Sequence, residues 1–157
     1  DAFASGEGVV YPDIKTNYTS LSQENVAVQE NIDLVFYYDA AARRTTLAAP
    51  ASGRLGLELS VENATLFKKL PELNDLNFEE VTPASLIELT ADASLLSEGS
   101  LQVDNFVVGD VIAFLTDLNA VYSLKTGLLK VTGLHPASVD RYPGLSYVLE
   151  CDIIVQQ

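Results

Sequence analysis

Tryptophan and methionine are absent from this chain, and histidine and cysteine occur once each. A single cysteine excludes an intrachain disulfide, and a chain of this size does not need one to hold its core. One histidine and one cysteine without methionine cannot assemble the soft-ligand sites that zinc, copper or iron prefer, so no metal site is expected. Cations are scarce as well: nine Lys and Arg against 22 Asp and Glu give a formal net charge of −13. Nucleic-acid affinity comes largely from cationic side chains that displace condensed counterions, so this balance argues against a nucleic-acid partner. No apolar run approaches the roughly 20 residues that a bilayer-spanning helix requires. Gly-x-Gly-x-x-Gly and P-loop spacings are also missing, which removes the phosphate cradles built on them.

What the chain does have is 48% hydrophobic residues over 157 positions. They fall in short runs between Gly, Pro, Asn, Asp and Ser clusters, which is the composition of one globular core. The stretch "DAFASGEGVVYPDIKTNYTSLSQEN", residues 1–25, is rich in small polar residues and shows little period. It reads as a tether or wrapping segment ahead of a single β-rich domain over 26–157. The chain starts at Asp1 and not at Met, which fits export after removal of a leader.

The patterning is mostly of period two. Ile32, Leu34, Phe36 and Tyr38 alternate with Asp33, Val35, Tyr37 and Asp39, and both sets contain an aromatic residue, the mark of a central strand. Residues 45–50, "TTLAAP", form a second strand stopped by proline. Phe106 to Leu115 and Val121 to Val131 flank "TDLNA" and predict a hairpin turning at Asp117 and Asn119. The terminal "LSYVLECDIIVQ" places Leu145, Tyr147, Leu149, Cys151, Ile153 and Val155 on one face, with Glu150 and Asp152 on a wet one. One helix interrupts this pattern: Thr82 as cap, Pro83 in first position, then Leu86, Leu89, Ala93 and Leu96 predict a short helix over about 83–97, ended by Gly99. The fold class expected is mainly β, with twisted antiparallel sheets arranged as a sandwich. If the terminal strand lies at a sheet edge, it could pair with a second copy, so the chain is expected to be a monomer or a weak dimer.

Few residues invite a chemical role. Gly109-Asp110, inside "VVGDVIAFLTD", is expected to bend a sheet, with the Asp bonded to nearby amides. His135 sits in "GLHPASVDRYPG" beside Ser138 and Asp140, but three residues in one loop seldom converge as a catalytic triad. Cys151 falls on an apolar face, where a thiol behaves as a small hydrophobe. The abundant carboxylates keep a glycosidase-like acid pair in view, yet no tryptophan is present to line a sugar groove. "DLNFEEV" and "ENIDLVFYYD" offer oxygen ligands without the spacing of a calcium loop. Tyr37 faces away from Phe36 and Tyr38 and could serve as a platform. Arg43-Arg44 is the only adjacent arginine pair, able to receive a carboxylate or sulfate or to balance local acid.

Taken together, "NIDLVFYYD", "TTLAAPAS", "NATLFKK", "VVGDVIAFLTD", "SLKTGLLKVTGL" and "YVLECDIIVQ" resemble β-rich lipoprotein domains, secreted or surface-anchored, of Bacteroidetes-type bacteria. The resemblance spans residues 31 to 157 and rests on structural patterning. It implies export, a twisted antiparallel architecture and tethering to the outer membrane through a lipidated cysteine upstream of Asp1; it does not imply an enzyme. A more distant similarity is to secreted haem-capturing β proteins of the same bacteria, which use His or Met pairs as axial ligands. With His135 alone and no Met, that pair cannot be carried over. The expectation is therefore a non-catalytic, cofactor-free domain at the cell surface or outside it. It would bind a glycan or an envelope protein, with Tyr37, Arg43, Arg44 and His135 as the ligand-contacting residues. A haem or metal carrier and a carboxylate-based hydrolase are the alternatives.

Overall fold

The structure, a computed structural model, describes residues 2–4, 9–11, 22–39, 42–53, 59–91, 93–117, 124–136 and 147–156. Its strands in chain order are β1 (Ala2–Ala4), β2 (Val9–Tyr11), β3 (Leu34–Asp39), β4 (Arg44–Ala48), β5 (Leu66–Lys69), β6 (Gln102–Asp104), β7 (Val111–Leu115), β8 (Thr126–Pro136) and β9 (Tyr147–Val155). The helices are α1 (Gln23–Gln29), α2 (Pro83–Ala91) and α3 (Leu95–Glu98), with short 3-10 turns at Pro50–Ser52, Pro71–Leu73 and Phe78–Glu80. The protein is mainly β, as its alternating sequence predicts, and every strand pairing is antiparallel.

Sheet one has the order β2-β1-β3-β4-β6 and sheet two the order β5-β7-β8-β9. β3, with aromatics on both faces, is the middle strand of sheet one, where both of its edges are paired. Residues 2–4 and 9–11, within the stretch read as a tether or wrapping segment, contribute its β1 and β2. The facing sides of the two sheets enclose one core. Leu34 and Leu47 come from sheet one, Phe67, Ile112, Phe114, Leu129 and Val131 from sheet two, and Phe106 from the connection. Each fully buried Phe, Leu or Ile in this set contributes on the order of 2 kcal/mol by leaving water.

Sheet two is covered on its second face too. Val111, Ala113, Leu115 and Leu128 meet Leu86 of α2, Leu95 of α3, and Leu70 and Ala93 beside them. All five residues of β7 are consequently buried. This explains why "VIAFL" reads as an unbroken apolar run: successive side chains point to opposite faces, and here both faces are dry. Phe114 lies across from Gly127 in the β7–β8 pair, and a Cβ on Gly127 would land on that ring and on the Ile154 carbonyl.

Two sequence expectations need correction, the hairpin bounds and the helix, while the one for Gly109 holds. The hairpin exists, but β7 begins at Val111 and not at Phe106, and the connection runs from Thr116 to Lys125, closed by Thr116 N to Lys125 O at 2.9 Å and Lys125 N to Thr116 Oγ1 at 2.8 Å. Asn119 lies outside the described residues. Gly109 bends the margin of the sheet as read: with Asp110 it forms a bulge opposite Val131, Gly109 N donating to Val131 O at 2.8 Å and Val131 N to Asp110 O at 3.0 Å. Gly109 also occupies the third position of a turn closed by Asp110 N to Val107 O at 3.1 Å, and its φ of +96° is what a type II turn demands there. Finally, the predicted helix over 83–97 is two helices. Its start is as read: Thr82 Oγ1 accepts from Ser85 N at 3.1 Å, while Thr82 N donates to Ser85 Oγ at 2.8 Å, a reciprocal cap with Ser in place of Glu. Ser94 then adopts a left-handed φ of +53°, which rotates the register of everything after it. Leu95 therefore enters the core at 4% exposure, whereas Leu96, expected on the apolar stripe, stands 80% exposed.

Candidate functional site

The most organised polar network among the described residues lies on the outward side of sheet one, where Ala4, Val35, Thr46 and Ala48 are buried and Tyr37, Arg44, Gln102 and Asp104 are partly open. Residues paired across antiparallel strands share a face, so Tyr37, Thr46 and Asp104 form one row across β3, β4 and β6, and Ala48 pairs with Gln102 in the next. Three neighbours converge on the Asp104 carboxylate. Thr46 Oγ1 donates to Oδ1 at 2.7 Å, Gln102 Nε2 donates to Oδ2 at 3.2 Å, and Arg44 Nη1 stands 3.4 Å from Oδ2. Thr46 is fully buried; Tyr37, Arg44, Gln102 and Asp104 are half-buried. Mutual bonds fix the orientations of Thr46, Arg44, Gln102 and Asp104, and the strand register sets Tyr37 beside them, the condition for a surface that recognises a ligand without a large ordering cost.

Of the four residues expected to contact a ligand, Tyr37 and Arg44 sit on this face. Arg44 does what local acid balance requires, since its guanidinium approaches Asp104. Arg43 occupies the β3–β4 turn, exposed, with a left-handed φ of +50°. His135 is elsewhere. It lies near the end of β8, about half exposed, with Nε2 at 3.4 Å from Glu150 Oε1 and Nδ1 at 3.2 Å from the Pro136 carbonyl oxygen. Its neighbour Leu134 packs into the core between the sheets, so His135 points from the opposite side of sheet two. Sheet two and the core separate it from the Tyr37 face. Ser138 and Asp140 fall outside the described residues.

Asp104, Gln102 and Thr46 are the site residues that sequence reasoning missed. Thr46 and Asp104 are 58 positions apart, and "QVD" is only a three-residue strand, so no local period announces the pairing. The face-sharing rule applied to β3 and β4 alone would have placed Thr46 beside Tyr37.

Two further groups have settled structural roles. Asp110 accepts from Val107 N at 2.9 Å and pairs with Lys69 Nζ at 2.6 Å, with its side chain only 9% exposed. Burial by itself pushes its carboxyl up, but the bond and charge of Lys69, the Val107 amide and Asn74 outweigh this and hold it below the usual carboxylate value. The residue secures a turn. Cys151 packs against the core from β9; burial first, and the neighbouring Asp152 charge second, push its thiol up to about 11. Among the described residues no group of three His, Cys, Asp or Glu side chains is placed to hold a metal ion, and no helix is long and apolar enough to cross a membrane.

No protein-family model matches the chain, and neither a curated protein nor a solved structure shows significant similarity to it.

Proposed function

We propose that this chain is a non-catalytic β domain, exported and held at or beyond the cell surface, that binds a glycan or an envelope protein through the outward face of sheet one. The observation that carries the reading is the fixed row Tyr37, Thr46 and Asp104 with Arg44 and Gln102 beside it. A tyrosine ring supplies an apolar surface for a sugar face or a side chain, while the amide, guanidinium and carboxylate supply directional donors and acceptors. The acid and base of this row are engaged with each other, which suits recognition better than proton transfer.

A glycan array probed with the intact chain tests the proposal, followed by titration of any retained glycan against Tyr37→Ala and Gln102→Ala. Each truncation should weaken binding roughly tenfold, the equivalent of about 1.4 kcal/mol, without moving the melting temperature. Binding that survives both substitutions places the site elsewhere and overturns the assignment. A haemin titration on the same sample separates the carrier alternative, for which a Soret shift abolished by His135→Ala is the signature.

A further inference from the structure

The two sheets differ in width, five strands against four. They meet at one margin through the Phe67–Ser100 bridge, which joins β5 to the residue pair leading into β6. Toward the other margin Tyr38 of β3 stacks on Tyr147 of β9, ring centroids 4.3 Å apart. With β5 beside β6 and β9 over β3, the order β2-β1-β3-β4-β6 carries β1 and β2 past the last strand of sheet two. Phe3 and Val10 are cross-strand partners, and Phe3 packs on the core, so both side chains face the step beside β9. Phe3 is half-buried there, and Val10 is 59% exposed. Along the step runs β9, nine residues long, with no strand on its outer edge among the described residues. Its sequence contains neither proline nor lysine, the residues that commonly blunt such an edge.

We propose that this step is a docking slot for an extended segment of a partner protein, which joins sheet two as a strand along β9 and carries alternating apolar and basic residues. Main-chain bonds to β9 would supply affinity, and the two side-chain faces would supply selectivity. One face lays apolar groups on Phe3 and Val10. The other sets lysine or arginine beside Glu150 and Asp152, the two exposed residues of β9. Charge selects this occupant over a second copy of the chain. Two β9 strands centred on Cys151 would oppose Glu150 of one to Asp152 of the other, within a pair of molecules each at −13, and like charges directly opposite are destabilising. A basic strand converts the same contacts to opposite-sign pairs. The slot and the Tyr37 face are separate surfaces, so either can fail without the other.

A fluorescent nine-residue peptide of alternating valine and lysine, titrated into the intact chain and followed by anisotropy, tests the slot. The control peptide has the same composition in two blocks, which retains any general attraction to an acidic surface but cannot separate its faces. The alternating peptide should bind about tenfold more tightly than the block peptide, and the double substitution Glu150→Lys with Asp152→Lys should remove that advantage and transfer it to an alternating valine and glutamate peptide. Val10→Lys should weaken binding through the other face. All three positions are exposed, and an unchanged melting curve confirms that each variant is folded. Equal binding of the two peptides, indifference to both variants, or no binding at millimolar peptide overturns the proposal. A concentration-dependent dimer in sedimentation that Val10→Lys abolishes would give the slot to a second copy and likewise overturn it.

Discussion

Replacing Asp110 with Asn isolates the charge of the carboxylate that secures the turn before β7. Asn keeps the size of the side chain and an oxygen for the Val107 amide, but loses the ionic partner of Lys69, whose ammonium lies 2.6 Å away. Hydrogen bonds to charged groups contribute about 1.5–3 kcal/mol, and breaking a fully buried pair costs about 3–5 kcal/mol. Lys69 remains 33% exposed and can turn toward water, which places the expected loss at the lower end, about 2 kcal/mol. Urea denaturation at pH 7 should show it as a lower midpoint with an unchanged slope. The pH dependence is the sharper test. Because the folded-state carboxyl titrates below the ordinary carboxylate value, the contribution is fully present above that ordinary value and is lost as pH falls through the depressed folded one. The difference between wild type and Asp110→Asn should therefore hold constant from pH 7 to about 5 and shrink below pH 4. A difference under about 0.5 kcal/mol at pH 7, or one that persists undiminished into acid, refutes the ion pair as the source of stability.

Two other outcomes follow from packing. Leu95→Ala should cost about 3 kcal/mol by opening a cavity between α3 and β7, whereas Leu96→Ala should change stability by less than about 0.5 kcal/mol, and paired denaturation curves distinguish them. A reversed order, with Leu96→Ala the costlier, would mean that the helix runs through Ser94 unbroken. Cys151, with its thiol pushed up to about 11, should react with an alkylating reagent far more slowly at pH 8 than the same chain in denaturant; mass spectrometry of timed samples reads the ratio, and equal rates would contradict its packing against the core.

The parts of the fold that sequence disclosed are those set by local alternation. β3 with aromatics on both faces, β9 with Glu150 and Asp152 on its wet side, and the Thr82-Pro83 helix start all follow from neighbours within a few residues. What stayed hidden depends on distant partners or unusual backbone. Nothing in "DASLLSEGS" marks Ser94 for a left-handed conformation, since serine adopts it only when its surroundings impose it. The second cover over sheet two was visible only as the unbroken apolar run Val111 to Leu115, which a buried helix segment would also display. Of the candidate site, Tyr37 and Arg44 stood out as unusual residues. The network that orients Arg44 required Asp104 to arrive from a strand far along the chain.

β7 and β8 both belong to both apolar layers: β7 gives Ile112 and Phe114 to one and Val111, Ala113 and Leu115 to the other, and β8 gives Leu129 and Val131 to the first and Leu128 to the second. Neither layer can melt alone, because wetting one side of β7 withdraws the wall against which the other is built. Helices and sheets are thereby coupled in a single cooperative unit, and a load applied at either outer surface is shared across its full thickness.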